Sequence, residues 1–347
     1  MGFLRSTLHR FIPAHFHDPF GLAVRLWRTG DPAARFAMGS ALAGIALTPL
    51  DLALSLRESR RTRRAATPGR PIVLVSGPPR SGTTLVSQVL IANLPVAYLN
   101  NLTSLFPRSP ITANALFGGL LGRRGPEFHS YYGRSRRLAG ANDALYLWDR
   151  WLGKDRVKIP DSLAPEARED MIRFFGAMEQ FTGKPLVAKN NNLNGYAHLV
   201  ADALENATFL CLHRDPVFLA QSLLRARREI HGDEEVAYGL AEPARKEVST
   251  PVEDVCRQVL FHERLMRTQV QRLGPTRFRV VSYEAFCDDP GATVRMVAEE
   301  ILRVPGTAGA LPPFERANRV RIEPELFRAI QETLQRLRTA EPAASPK

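Results

Sequence analysis

The segment IVLVSGPPRSGTTL at 72–85 decides how the chain is organised. Ile72–Ser76 is an unbroken, mostly β-branched run, the form taken by a parallel strand buried on both faces. A turn rich in Gly and Pro follows, and then Leu85–Leu94 with helical spacing. Strand, glycine turn and helix in that order open an α/β unit. Before it, TPGRP at 67–71 reads as a linker.

The same alternation recurs three more times. Leu186–Lys189 precedes a helical pattern around His198–Leu204, Thr208–His213 precedes Val217–Arg228, and Phe278–Tyr283 precedes Thr293–Leu302. Strand–helix alternation of this kind predicts an α/β fold with a parallel sheet and crossover helices. Residues 100–182 break the pattern. Phe117–Gly122, FHSYYGR at 128–134 and ALYLWDRWL at 144–152 interleave aromatic and charged residues, which suggests an inserted substrate-binding region or a helical cap over the sheet.

Composition narrows the class. The chain has 347 residues, 44% apolar and 24% charged, too apolar for disorder and too aperiodic for a fibre. Cys211, Cys256 and Cys287 make neither a disulfide framework nor a zinc spacing, so a reducing compartment is expected. The net charge is +12, but residues 1–70 hold eleven arginines against Asp18, Asp31, Asp51 and Glu58, a surplus of seven. More than half of the surplus therefore lies in an N-terminal arm and only +5 on the other 277 residues, which argues against a nucleic-acid partner. The arm mixes those arginines with Phe3, Leu4, Phe11, Ile12, Phe16, Phe20, Leu26 and Trp27, a composition suited to a membrane surface. Ala34–Leu56 is its most apolar stretch, interrupted by Pro49 and Asp51. Three readings stay open: a transmembrane helix, an interfacial or re-entrant pair broken at Pro49, or a buried helix of the globular part. The basic run Arg57–Arg64 would place the α/β part on the cytoplasmic side of a membrane. Residues 340–347 are expected to be a disordered tail.

The turn carries the chemistry. Backbone N–H groups in a glycine-rich loop, with a helix N-terminus behind them, converge on an anion. Gly82 allows close approach, Thr83 and Thr84 offer hydroxyls, and Arg80 offers a fork of donors for phosphate or sulfate. Gly77 and Gly82 have P-loop spacing, yet Thr83–Thr84 stand where Lys–Ser/Thr would follow, so a kinase-like, Mg²⁺-dependent transferase is disfavoured.

PRSGTT at 79–84 resembles the loop of sulfotransferases that use 3′-phosphoadenylyl sulfate (PAPS), in which it holds the 5′-phosphosulfate. That family's second signature, Arg at a strand end and Ser eight residues on, is matched by Arg214 and Ser222 after the strand TFLCLH; there they hold the 3′-phosphate. VSYEAF at 281–286 is similar to the family's strand ending in Tyr-Glu, which gives Tyr283 an adenine contact. The resemblance spans about residues 71–305. It implies a P-loop-like sulfotransferase domain over 71–339 following the arm of residues 1–70. It also implies PAPS as donor with no metal, with Pro79, Arg80, Ser81, Gly82, Thr83, Thr84, Arg214, Ser222 and Tyr283 binding it. The acceptor would be a hydroxyl of a small molecule, glycan, glycolipid or other membrane-borne compound.

Sulfuryl transfer needs donors on the moving oxygens, a cation on the departing oxygen and a base for the acceptor proton. Arg80 and the hydroxyls of Thr83 and Thr84 fit the first two by position, and Lys189, closing its strand in VAKNN, resembles the family's strand-end lysine. The base departs from the family's pattern, because Asn191 stands where some members have His, and YLNNL at 98–102 lacks the carboxylate of others. Candidates remain in the insert: His129 first, because imidazole titrates near neutrality, then Asp143, with Glu127 and Asp149 behind. His198 reads as packing, and Arg319 and Arg321 as surface charges with a weak claim on the 3′-phosphate. Without a base, the alternative is a non-catalytic nucleotide-binding protein that kept the fold.

Overall fold

The computed structural model describes residues 18–122, 128–242, 250–306 and 311–340. One sheet of five parallel strands organises them: β1 (Ile72–Ser76), β2 (Ala97–Tyr98), β3 (Leu186–Lys189), β4 (Ala207–His213) and β5 (Phe278–Ser282), in the order β2-β3-β1-β4-β5. The helices before the insert are α1 (Pro19–Arg28), α2 (Pro32–Ala46), α3 (Thr48–Arg63) and α4 (Thr83–Asn93). The insert supplies α5 (Asn101–Leu105), α6 (Pro110–Phe117), α7 (Leu145–Leu152) and α8 (Pro165–Thr182). The remainder are α9 (Leu193–Ala203), α10 (Pro216–Ala226), α11 (Pro251–Arg277), α12 (Tyr283–Asp288), α13 (Pro290–Met296) and α14 (Pro324–Ala340).

The predicted parallel α/β architecture is thus the observed one. All four strands read from the sequence are present, and β2 is an additional two-residue edge strand beside β3. Side chains alternate across β1: Ile72 and Leu74 join Phe209, Cys211 and Phe278 on one face, and Val73 and Val75 join Val187, Leu210 and Leu212 on the other. Both faces are buried, so the strand needs apolar residues at every position. The first face is covered by Trp148 and Trp151 of α7, Met171, Phe174 and Phe175 of α8, and Val200 of α9. The second is covered by Val86, Val89 and Leu90 of α4 and Val294 of α13. Of the insert, α7 and α8 are therefore a cap that completes the core. The segment 128–144 between α6 and α7 turns instead toward the sheet's C-terminal edge.

The described part of the arm packs on the α/β part. Leu22 and Leu26 of α1 bury against Ile230, Tyr131 and Tyr132, while Arg25 Nη2 donates to the carbonyls of Ile230 and His231 at 3.1 and 3.0 Å. In α3, Asp51 accepts from Ser109 Oγ at 2.8 Å and from Arg108 N–H. Glu58 accepts from the N–H groups of Ile111 and Thr112 and from Thr112 Oγ1, at 2.6–3.0 Å. Two buried carboxylates thus stand at the N-terminus of α6, where its unpaired N–H groups and dipole favour negative charge. The α2–α3 pair is bent by 72°, and no single described helix is long and apolar enough to cross a membrane. The aromatic residues of 1–17, Glu127 and the tail from residue 341 lie outside the described residues.

Candidate functional site

Every parallel strand delivers its following loop to the same edge of the sheet. From β1 the chain runs to β2 at the far edge and returns to β3 beside β1, then crosses to β4 and β5 on the other side. The crevice where the order reverses is where open α/β sheets bind ligands. The loops after β1, β3 and β4 meet there: Asn190 N–H donates to Val75 O at 3.0 Å, and Gly77 N–H donates to Asn191 O.

The loop 77–82 is tightly constrained. Gly77 has φ 140°, and a Cβ on it would lie 2.7 Å from Leu212 O. Gly82 has φ 99°, and a Cβ there would lie 2.5 Å from the Tyr283 ring. Between them Arg80, which is not glycine, adopts φ 75°. A side-chain-bearing residue held left-handed costs free energy and persists only where its surroundings impose it. Pro79 packs against Gly239. Ser81 N–H closes a turn on Pro78 O, while Ser81 Oγ is buried without a partner among the described residues. Thr83 and Thr84 begin α4, so their N–H groups lack intrahelical acceptors. An orphaned hydroxyl, free helical N–H groups and a cradle with no room for a Cβ fit a tetrahedral anion.

Arg80 and Arg214 stand together beside this loop. Arg80 Nε donates to Ser222 Oγ at 3.2 Å, and Arg214 Nη1 donates to Arg80 O at 2.9 Å. The remaining Arg214 contacts are neutral: Ala317 O at 2.8 Å, and Asn318 Oδ1 at 3.0 and 3.1 Å. Its guanidinium lies 4.8 Å from the Tyr283 ring centre, and Tyr283 Oη accepts from Ala317 N–H. Arg214 is buried, and burial together with the charge of Arg80 lowers its proton affinity. Glu284 stands behind Asn318, accepting from its amide at 2.9 Å. Burial works to raise the Glu284 pKa, but hydrogen bonds from Asn318 and the Asp215 N–H hold it below the usual carboxylate range. Neither arginine has an ion-pair partner within 4.0 Å among the described residues.

Lys189, at the end of β3, is also buried. Its Nζ lies 2.5 Å from Asp143 Oδ1 and donates to Thr84 Oγ1 at 3.1 Å. Thr83 Oγ1 donates to Asn191 Oδ1 at 2.8 Å. A recess lined by Thr84, Ser87, Leu99, Asn142 and Lys189 adjoins them, with room for a water-sized group only, about 10 Å³. The segment 131–134 overlies the loop. The Arg80 guanidinium carbon lies over the Tyr132 ring, 4.3 Å from its centre, and Tyr132 donates to Glu229 at 2.5 Å; burial and that bond push its phenol pKa up. Gly133 borders Thr84 and Lys189.

Of the base candidates, Asp143 is the one beside Lys189. His129 is half-exposed and pairs with Asp31 of the arm at 2.9 Å, while its carbonyl accepts from Gln88. Asp149 is bound to Arg156. His198 contacts Gln269. Arg319 pairs with Glu315 at the surface, and it is the backbone of Arg319 and Arg321 that meets Gln221 of α10. Asn318 and Tyr132 were not singled out by the sequence reading. Asn318 sits within ANR at 317–319, where the flanking arginine carries the more conspicuous charge. The one signal for Tyr132 was the aromatic density of 128–134. Among the described residues no three His, Cys, Asp or Glu side chains converge as a metal site.

Comparison with known proteins agrees with this geometry. No curated protein sequence matches the chain significantly. Among solved structures, sulfotransferase STF9 from Mycobacterium avium is similar at 15% identity and a TM-score of 0.53, over 91% of this chain and 80% of that one. Sulfotransferase STF1 from Mycobacterium tuberculosis H37Rv is similar at 12% identity and a TM-score of 0.52, over 95% of this chain and 92% of that one. At such identities the likeness establishes the fold. The family model described as "Sulfotransferase family" matches residues 71–301, more than half of the sequence, and the chain belongs to that family.

Proposed function

We propose that the chain transfers a sulfuryl group from PAPS to a hydroxyl of a small-molecule, glycan or lipid acceptor. The observation that carries this reading is that Arg214, buried on the Arg80 carbonyl, and the Arg80 guanidinium, bonded to Ser222, stand beside the loop with no carboxylate paired to either among the described residues. Two adjacent cations, one of them buried, raise each other's cost until an anion neutralises them. A nucleotide with a phosphate at each end of its ribose matches two such cations better than one with a single phosphate.

PAPS, when bound, supplies an activated sulfuryl group on a phosphate leaving group. The chain's own residues supply the rest. Arg214 and Ser222 are assigned to the 3′-phosphate. Ser81, Thr83, Thr84 and the N–H groups opening α4 are assigned to the 5′ end, and Tyr283 to the border of the adenine. Lys189 is the cation available for charge developing on the departing oxygen, with Arg80 as a second. Asp143, rather than His129, is assigned the acceptor's proton. It is the carboxylate already held at Lys189, and a base must stand within hydrogen-bond reach of the reacting centre.

Transfer of label from radiolabelled PAPS to a hydroxyl-bearing acceptor pool tests the reading. Asp143→Asn is expected to lower kcat by roughly 10²- to 10⁴-fold while binding of the desulfated product, adenosine 3′,5′-bisphosphate, is unchanged. Full activity in Asp143→Asn with a loss in His129→Ala would return the base to His129. Binding of the bisphosphate with no transfer to any acceptor would favour the non-catalytic alternative.

A further inference from the structure

Between Arg35 and Arg57 the sequence holds one ionisable side chain, Asp51, and that one is turned inward onto Ser109. What α2 and α3 present to solvent over this span is uncharged: Leu42, Ala46, Pro49, Leu50, Ala53 and Leu56 are all exposed. Leu42 and Leu56 are each 70% exposed. Leu120, beyond α6, is 69% exposed and adjoins the cluster in which Ala43 and Leu47 meet Phe117 and Leu121. A solvent-facing helix surface ordinarily carries polar residues, and contiguous apolar surface marks a contact. The ends of this face are basic. Arg35 precedes it, and Arg57, Arg60, Arg61 and Arg64 follow, all exposed. The acid among them, Glu58, is buried on the N–H groups of α6 and leaves the rim uncompensated.

We propose that this face seats in the headgroup boundary of an anionic bilayer. An uncharged centre with an arginine rim matches acyl chains beneath anionic headgroups. The rim selects among occupants. A second copy would bring its own arginines to the contact, and residues 1–17 carry Arg5 and Arg10 with no carboxylate, so both are repelled. The inner side of α3 stays bound to α6 through Asp51 and Glu58, so the pair lies on the bilayer and does not cross it. The arm also reaches the site, since Asp31 at the start of α2 pairs with His129, and α1 packs on Tyr131 and on Tyr132, the ring that lies against Arg80. Docking stands apart from the transfer reading.

Sedimentation of the full chain with vesicles tests the proposal. The wild type is expected to pellet with phosphatidylcholine vesicles containing phosphatidylglycerol, and to bind phosphatidylcholine alone at least roughly a hundredfold more weakly. The double variant Leu42→Glu/Leu56→Glu should stay in the supernatant, and Arg57→Ser, Arg60→Ser and Arg64→Ser should each weaken binding roughly fivefold. All variants should bind adenosine 3′,5′-bisphosphate as the wild type does, which separates loss of docking from loss of fold or donor site. Equal pelleting with both lipids, wild-type pelleting of the double variant, or a dimer that the double variant dissociates without any vesicle binding would each overturn it.

Discussion

If the site takes a doubly phosphorylated adenosine as proposed, replacing Arg214 by Gln should leave it unable to notice the 3′-phosphate. Of its five N–H donors, four are committed to Arg80 O, Ala317 O and Asn318 Oδ1, which leaves one Nη1 hydrogen for a ligand. A single charge-assisted hydrogen bond contributes about 1.5–3 kcal/mol. Coulomb attraction between unit charges 4 Å apart at an effective dielectric of 20 is about 4 kcal/mol and overlaps with that bond rather than adding to it. The two bracket a loss of about 2–4 kcal/mol, or roughly 30- to 1,000-fold in affinity. Gln keeps a neutral donor for Ala317 O and Asn318, so the segment that carries them retains its anchor. Calorimetry with adenosine 3′,5′-bisphosphate and adenosine 5′-phosphate, on wild type and variant, reads the effect. The bisphosphate should lose most of its advantage in Arg214→Gln while the monophosphate changes little. Equal wild-type affinity for the two nucleotides, or an equal loss of both in a variant with unchanged melting, would refute the assignment of Arg214.

Other perturbations probe the parts around it. Gly82→Ala forces a Cβ into Tyr283 at a left-handed φ, so bisphosphate affinity should fall at least roughly tenfold and the melting temperature should drop, both readable by calorimetry. Glu58→Ala strips the acceptor from two N–H groups and one hydroxyl at the start of α6; about 3 kcal/mol should be lost in denaturant unfolding, whereas a free arm would leave the transition unmoved. His262 is buried beside Asn194, and burial lowers its pKa from 6.5 to about 4. The unfolded chain therefore takes up this proton first, so stability is full above pH 6.5 and falls by roughly 3 kcal/mol as pH drops toward 4. His262→Gln should flatten that slope in denaturant titrations at a series of pH values.

Local context decided which of these features could be read from the residues. Ile72–Ser76 must be apolar throughout because both faces are covered, and the glycines after it are needed for positive φ and close approach, so strand, loop and helix all leave a mark within fourteen residues. Lys189, Arg214 and Ser222 inherit their positions from strands that are equally legible. Ala97–Tyr98 is too short to show any period; it pairs because β3 lies beside it. In the arm, Pro49 reads as an interruption, yet Pro fits the first turn of a helix, and the break falls before it, at Leu47. Asp51 reads as a flaw in an apolar stretch, while its partners, Arg108 and Ser109, lie more than fifty residues away.

The proposed base shows the limit most clearly. On residue type alone His129 is the better candidate, and ANDA at 141–144 has no period, cap or motif to recommend its carboxylate. What brings Asp143 to Lys189 is the return path of the insert. Asn100 bridges Ala141, Asn142 N–H donates to Leu99 O, and the Asn142 side chain reaches Asn101 Oδ1 at 2.6 Å. Those contacts pin the segment to the end of β2, one strand away from Lys189. The same return path leaves His129 beyond the loop, within reach of Asp31 on the arm. A side chain on a strand end takes its address from the sheet, whereas one on an insert takes it from a few polar anchors that any sequence could supply. Asn101→Ala, which removes the acceptor for Asn142 and donors to Ser135 and Arg137, should therefore lower the transfer rate through Asp143 without touching nucleotide affinity.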